Sequence, residues 1–179
     1  MKKIIALSAL AAMMATSAAH AASSGTITFN GELTATTCDA SVDGKGPSAT
    51  VQLPILSTSL LNAAGVVKGE TFYNINLSNC AGVLKTASAY YEAGSTVDSA
   101  SGRLKNTTGS ASNVQLQLSD GSGAQGVIKV GDASQIANTT YLDVASGTAV
   151  LPYSVAYYAT DATGPGTVVS SVVYSIQYK

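Results

Sequence analysis

The 179-residue chain has no tryptophan, one histidine and two cysteines, and only 11% of its residues are charged. So few positive charges exclude a basic patch for nucleic acid or a polybasic membrane-binding motif. Gly, Ser, Thr, Ala and Val abound instead, and sparse charge with many β-formers favours an extended β protein. A Ser/Thr-rich surface of this kind does little to discourage pairing between sheet edges.

The first residues predict export. Lys2 and Lys3 form a short positive segment, Ile4 to Ala19 is almost wholly apolar or small, and Ala19-His20-Ala21 supplies a small-x-small cleavage pattern. These features predict a signal peptide over residues 1–21, with cleavage before Ala22. The competing interpretation is a membrane anchor, but the apolar run is short for a span and leads directly into the cleavage pattern.

Removing the signal peptide removes His20, the only histidine. The remaining 158 residues suit one ordinary domain, and they carry seven basic against ten acidic side chains, a net charge of −3. Without histidine, neither a Ser-His-Asp nor a Cys-His arrangement is possible. The acidic residues are scattered, several of them in turns where Asp bonds the backbone. We therefore expect no enzyme activity, no cofactor and no catalytic or metal site.

Cys38 and Cys80 are the two cysteines. In an exported protein, two cysteines most simply form one disulfide. A metal pair or a reactive thiol is the alternative, but two cysteines without histidine cannot complete a zinc site.

Alternation with a period of two recurs along the mature chain, and no segment keeps a 3.6-residue stripe for more than two turns. The pattern predicts an all-β sandwich or barrel, with one short helical turn within Pro54 to Ala64. The predicted extended runs are residues 26–33, 71–77, 113–118, 149–158 and 168–178.

One motif matches the sequence pattern of a nucleotide-binding loop. Gly121 to Gly126 matches G-x-G-x-x-G, which must follow a strand and open a helix in a dinucleotide fold. Here the β-forming run Val127 to Val130 follows, so a hairpin loop is the better interpretation.

Both ends of the mature chain alternate. One face of the N-terminal segment carries Gly25, Ile27, Phe29, Gly31 and Leu33, and the last run carries Val172, Tyr174, Ile176 and Tyr178 before Lys179. The first segment could be the first strand of its own sandwich, and the last could be an ordinary core strand. Alternatively, the last run is a sheet edge with which a partner pairs.

The mature sequence resembles the major pilins of chaperone–usher, type 1-like fimbriae. The similar pieces, in order, are residues 25–33 leading to Cys38, residues 75–79 leading to Cys80, residues 111–118, residues 157–160, and residues 164–166 followed by 172–178 with the penultimate Tyr178.

This resemblance implies an incomplete immunoglobulin-like β-sandwich that lacks its last strand. A donor strand from another subunit would complete it, after a periplasmic chaperone has lent a strand first and an outer-membrane usher has guided the exchange. It implies a Cys38–Cys80 disulfide and a donor face of Gly25, Ile27, Phe29, Gly31 and Leu33, with Gly31 where the groove has no room for a side chain. The implied chaperone-binding strand carries Val172, Tyr174, Ile176, Tyr178 and Lys179.

The expected organisation is a signal peptide (1–21), a donor-strand extension (22–34) and a pilin domain (35–179). The expected function is a shaft subunit of an adhesive surface fimbria, exported through the periplasm and joined to neighbouring copies of itself. A minor adaptor pilin is one alternative. A free secreted carbohydrate-binding sandwich is another, from a different class of protein.

Overall fold

A computed structural model describes residues 26–33, 35–122 and 126–179. The chain divides into two units, Met1–Glu32 and Leu33–Lys179. The predicted signal peptide and Gly25 lie outside the described residues. In the first unit, residues 26–32 form neither helix nor strand, and their side chains are exposed. The predicted extended run 26–33 is therefore not a strand in this structure.

The described strands of the second unit are β1 (Thr37–Val42), β2 (Val67–Ala81), β3 (Thr86–Tyr91), β4 (Leu104–Lys105), β5 (Val114–Asp120), β6 (Val127–Ile128), β7 (Leu142–Asp143), β8 (Ala149–Ala159) and β9 (Tyr174–Tyr178). They form two antiparallel sheets, one in the order β1-β2-β8-β5-β4 with β6 also paired to β5, and one in the order β7-β3-β9. Side chains from both sheets form one core.

Strand β5 shows why alternation predicts these elements. Val114, Leu116 and Leu118 are buried, whereas the residues between them are partly exposed. One face of the strand is thus against the core and the other near water, as a period of two requires. The predicted extended runs 71–77, 113–118 and 149–158 fall on β2, β5 and β8, and these predictions are confirmed.

Three tyrosines fill the centre of the core. The hydroxyls of Tyr73 and Tyr91 are 2.7 Å apart, and the Tyr153 hydroxyl accepts a hydrogen bond of 2.9 Å from the Ala89 backbone N–H. Burial raises the pKa of both Tyr73 and Tyr91. Their hydroxyls therefore stay protonated, and hydrogen bonding between them offsets the cost of burying polar groups.

The G-x-G-x-x-G spelling lies between β5 and β6, which pair antiparallel with Leu118 opposite Ile128. The prediction of a hairpin loop is confirmed. The buried Asp120 carboxylate accepts hydrogen bonds from the backbone N–H groups of Ser122, at 2.8 Å, and Thr140, at 2.7 Å. This carboxylate therefore holds two loops together through their backbone N–H groups.

Helical structure is minor in the described part of the chain. A 3₁₀ turn at Thr58–Leu60 lies within the stretch predicted for a helical turn. The single-turn α1 (Gln135–Asn138) was not predicted, because four residues are too few to show a helical stripe. Among the described residues, no helix combines the length and the hydropathy needed to cross a membrane.

A disulfide joins Cys38 of β1 to Cys80 of β2. The predicted pairing is confirmed. The bridge lies where β1 begins and β2 ends, so it ties the start of the domain to the main sheet.

Reduction of this disulfide should lower the free energy of unfolding. The two cysteines are 42 residues apart, and closing a loop of that length restricts the unfolded chain by roughly 4 kcal/mol. Urea unfolding with and without reductant measures the change. A Cys38→Ser, Cys80→Ser double variant is the control and should not respond to reductant. Equal unfolding midpoints for oxidised and reduced wild type would contradict this expectation.

Candidate functional site

Strand β9 has a paired edge and an open edge. Among the described strands it pairs with β3 alone, with Ser88 opposite Gln177 and Tyr90 opposite Ser175. Lys179 and Thr86 exchange two backbone hydrogen bonds, of 2.9 and 3.0 Å. Since bonded pairs alternate along an antiparallel ladder, the odd-numbered residues of β9 are the ones that bond to β3.

Before β9, the odd-numbered residues continue this bonding pattern, but their partners lie in loops. The carbonyl oxygens of Thr167, Val169 and Val173 accept bonds from the N–H groups of Ala111, Thr107 and Glu92. The predicted run 168–178 is thus confirmed as a strand over Tyr174–Tyr178. Residues 168–173 continue it but are not a strand, because their bonding partners come from loops and side chains.

The even-numbered residues from Val168 to Tyr178 present their backbone groups to the opposite edge. Within residues 35–122 and 126–179, none of these groups has a backbone hydrogen-bond partner. The side chains of the same residues turn inward, where Val168, Val172, Tyr174, Ile176 and Tyr178 pack against the core. One row of residues therefore combines an apolar inner face with an unpaired backbone edge.

A cavity of about 880 Å³ lies beside the beginning of this edge. Residues 163–170 line one side of it, and the side formed by residues 50–58 contributes all of its residues except Pro54. The remaining lining residues are Leu61, Ala111, Val114, Leu116 and Tyr157. None of the 21 described residues that line the cavity is charged. Such a site suits an apolar, uncharged occupant, because an unpaired charge loses its hydration there.

The side formed by residues 50–58 is also an open edge. No described backbone group of residues 50–56 takes part in a backbone–backbone hydrogen bond. Val51 and Leu53 nevertheless pack against the core. An extended segment lying between the two sides would find unpaired backbone groups on both.

Three tyrosine hydroxyls hold the chain that leads into this side. Tyr178 accepts a bond of 3.0 Å from the Cys38 N–H, Tyr174 donates to the Pro47 carbonyl at 2.9 Å, and Tyr157 donates to the Pro54 carbonyl at 3.1 Å. Burial raises the pKa of all three, and in Tyr178 the bond from Cys38 opposes that rise. The tyrosines connect residues 38–54 to strands β8 and β9.

Ser170 lines the same cavity. Its Oγ is buried and has no hydrogen-bond partner in the described part of the chain. A buried hydroxyl without a partner is uncommon in a finished interior. Ser170 belongs to the even-numbered row of the open edge.

The structure brings together the residues predicted for the C-terminal strand. Val172, Tyr174, Ile176 and Tyr178 share the inner face of the open edge. The Lys179 carbonyl oxygen accepts bonds of 3.0 Å from the N–H groups of Lys85 and Thr86, and Nζ donates to the Ile136 carbonyl at 2.8 Å. Lys179 therefore already bonds within the domain.

The predicted donor face is exposed. The exposed fractions are 76% for Ile27, 88% for Phe29 and 101% for Leu33. A Cβ added to Gly31 would meet no atom within 4 Å in this chain. That a groove filled by this segment leaves no room for a side chain at Gly31 stays a prediction.

Sequence reasoning missed the side formed by residues 50–58. Its Pro54 carbonyl accepts a bond from the Tyr157 hydroxyl, and no described residue pairs with it as a ladder partner. The available signal was the short alternation of Val51 and Leu53 with Thr50 and Gln52, which stops at Pro54. Among the described residues, no group of three His, Cys, Asp or Glu is placed to hold a metal ion.

Residues 53–179 match the family model described as Type-1 fimbrial protein, A. The chain belongs to this family. It is 44% identical over 162 residues to the major fimbrial subunit SMF-1 of Stenotrophomonas maltophilia (strain K279a), covering 88% of this chain and 94% of that protein. It is 37% identical over 170 residues to the F17 fimbrial protein of Escherichia coli, covering 92% and 93% respectively.

Solved structures place the fold in the same group. The P pilus rod subunit PapA superposes with a TM-score of 0.54 at 22% identity, covering 79% of this chain and 99% of PapA. A type I fimbria protein of Burkholderia pseudomallei gives a TM-score of 0.53 at 24% identity, covering 81% and 97%. The immunoglobulin-like pilin fold and the expectation of a structural fimbrial subunit are confirmed.

Tyr178→Phe should destabilise the pilin domain by about 1 kcal/mol, because it removes the acceptor of the Cys38 N–H and keeps the apolar ring. Urea unfolding measures the change. Tyr90→Phe is the matched control, since the Tyr90 hydroxyl has no hydrogen bond among the described residues and lies on β3, away from residues 38–54. If both variants unfold at the wild-type urea concentration, the tyrosine tether does not stabilise the domain.

Proposed function

We propose that this pilin polymerises by donor-strand exchange into the shaft of an adhesive surface fimbria. The N-terminal segment of one subunit would insert beside the open edge of the next. The observation that carries this proposal is the row of unpaired backbone groups on the even-numbered residues from Val168 to Tyr178, beside an uncharged cavity. Strand addition to such an edge, as between a chaperone and a pilin, is a known mode of recognition.

The dimensions of the two segments agree. At about 3.3 Å per residue, the nine residues 25–33 would span about 30 Å and the eleven residues 168–178 about 36 Å. The inserted strand would direct its face of Gly25, Ile27, Phe29, Gly31 and Leu33 into the groove. Its other face carries Thr26, Thr28, Asn30 and Glu32, which would stay near water.

The energetics favour this occupant. Fully burying the Ile27 and Phe29 side chains is worth roughly 1.5–3 kcal/mol each. Main-chain bonds to both sides of the groove would add affinity, and the position of the large side chains would set the register.

The proposal extends to the organisation of the chain and to its partners, and membership of the fimbrial family supports it. Residues 1–21 would be a signal peptide, residues 22–34 the donor extension and residues 35–179 the pilin domain. A periplasmic chaperone would fill the groove until an outer-membrane usher delivers the next subunit. Val172, Tyr174, Ile176, Tyr178 and Lys179 form the strand that the chaperone would engage.

Phe29→Asp should abolish assembly, because it would place an unpaired charge in a groove without charged lining, at a cost of several kcal/mol. The measurements are electron microscopy of cells that express the subunit with its chaperone and usher, and SDS-resistant ladders of extracted fibres.

Thr28→Asp is the matched control. It adds the same charge to the opposite face of the segment and should leave fibres intact. Wild-type amounts of fibre from Phe29→Asp would contradict donor-strand exchange, as would normal fibres after deletion of residues 22–33. Equal loss in Phe29→Asp and Thr28→Asp would show that charge anywhere in the segment interferes, and would contradict the assigned donor face.

A further inference from the structure

Asn106 lies on the paired side of the groove-edge segment. Its Oδ1 accepts the N–H groups of Gly109, at 3.1 Å, and Val169, at 2.8 Å. Its Nδ2 donates to the carbonyls of Ala111, at 2.9 Å, and Thr167, at 3.1 Å. The side chain thereby makes the four hydrogen bonds that one primary amide offers.

These four bonds join two separate pieces of chain. Two of them close the loop of residues 106–111 on itself, and two hold Thr167 and Val169 of the groove edge against that loop. The backbone around them fits closely, since a Cβ on Gly109 would lie within 2.7 Å of backbone atoms of Thr167. The backbone N–H groups of Thr107 and Ala111 bond the Val169 and Thr167 carbonyls, and the Asn106 amide adds the partner of the Val169 N–H.

The orientation of the open edge depends on this attachment. Successive backbone groups of an extended chain point in opposite directions, so holding Thr167 and Val169 toward the loop directs Val168 and Ser170 toward the cavity. Both residues line the cavity. Without Asn106, the Thr167 and Val169 carbonyls would keep their bonds from Ala111 and Thr107, but the Val169 N–H would lose its partner. The edge would then be held less firmly before a strand arrives.

We propose that Asn106 is a positioning residue for strand acceptance: it holds the beginning of the groove edge in the conformation that receives a donor strand. This inference rests on the proposed function. Its physical basis is preorganisation. Ordering the edge during binding would cost free energy and weaken the binding of the donor strand, and an edge that is already ordered avoids this cost.

The test is binding of a fluorescent peptide of residues 22–33 to the mature full-length chain, followed by anisotropy. The chain's own N-terminal segment competes equally in every variant, so comparisons between variants remain valid. Asn106→Asp keeps the shape and both acceptors but loses both donors, and Asn106→Ala loses all four bonds. The dissociation constant should rise about tenfold or more in each.

Ile75→Val is the matched control for stability. Ile75 is fully buried and does not line the cavity. It should lower the melting temperature in the absence of peptide and leave the dissociation constant within about twofold of wild type. Thr107→Val removes only the 3.3 Å bond from Oγ1 to the Val169 carbonyl and gives a milder edge variant if the Asn106 variants fail to fold. It should weaken binding by about two- to fivefold.

The outcomes separate the two hypotheses. If wild type does not bind the peptide, the proposed donor-strand function is wrong. If wild type binds and the Asn106 and Thr107 variants bind equally well, the function stands and the positioning role is wrong. If Ile75→Val weakens binding as much as the edge variants do, Asn106 acts only through general stability, and the positioning role is again wrong.

Discussion

Half of the backbone groups along the C-terminal strand lack a partner within the described domain. A backbone N–H or C=O must bond to something when it is removed from water. On the odd-numbered residues, strand β3 and the loop around Asn106 provide the partners. On the even-numbered residues, water or another chain must do so. The other features of the site adjoin this edge. Three tyrosine hydroxyls hold residues 38–54 to strands β8 and β9, the uncharged cavity is lined by Val168 and Ser170, and the Asn106 amide bonds Thr167 and Val169.

The composition of the edge agrees with this role. Soluble proteins protect an open strand with lysine, proline, bulges or inward-pointing charges, which prevent pairing with other chains. Residues 167–178 contain no proline and no charged side chain. The low charge of the whole chain is thus also a property of this edge. The pilin domain leaves unprotected the edge at which a neighbouring subunit is proposed to bind.

Periodicity predicted the main strands because burial of one sheet face leaves a direct mark on the residues. β2, β5, β8 and β9 were predicted in this way, and two cysteines in an exported chain predicted the disulfide. The side formed by residues 50–58 was missed, because the alternation of Val51 and Leu53 stops at Pro54 and is too short to stand out as a strand. The role of Asn106 was not predictable either, since its partners Thr167 and Val169 lie 61 and 63 residues away. The apolar face of Ile27 and Phe29 was readable, but alternation does not reveal whether a strand is completed by its own chain or by another.

Amide hydrogen exchange along residues 167–178, read at single residues in the free subunit and in assembled fibres, shows whether the unpaired edge gains a strand on assembly. The amides of the even-numbered residues should exchange fast in the free subunit and become protected in the fibre; these are Val168, Ser170, Val172, Tyr174, Ile176 and Tyr178. The amides of Val169, Ser175 and Gln177, which bond on the paired side, should be protected in both. Even-numbered amides that exchange at the same rate in both states would contradict the account.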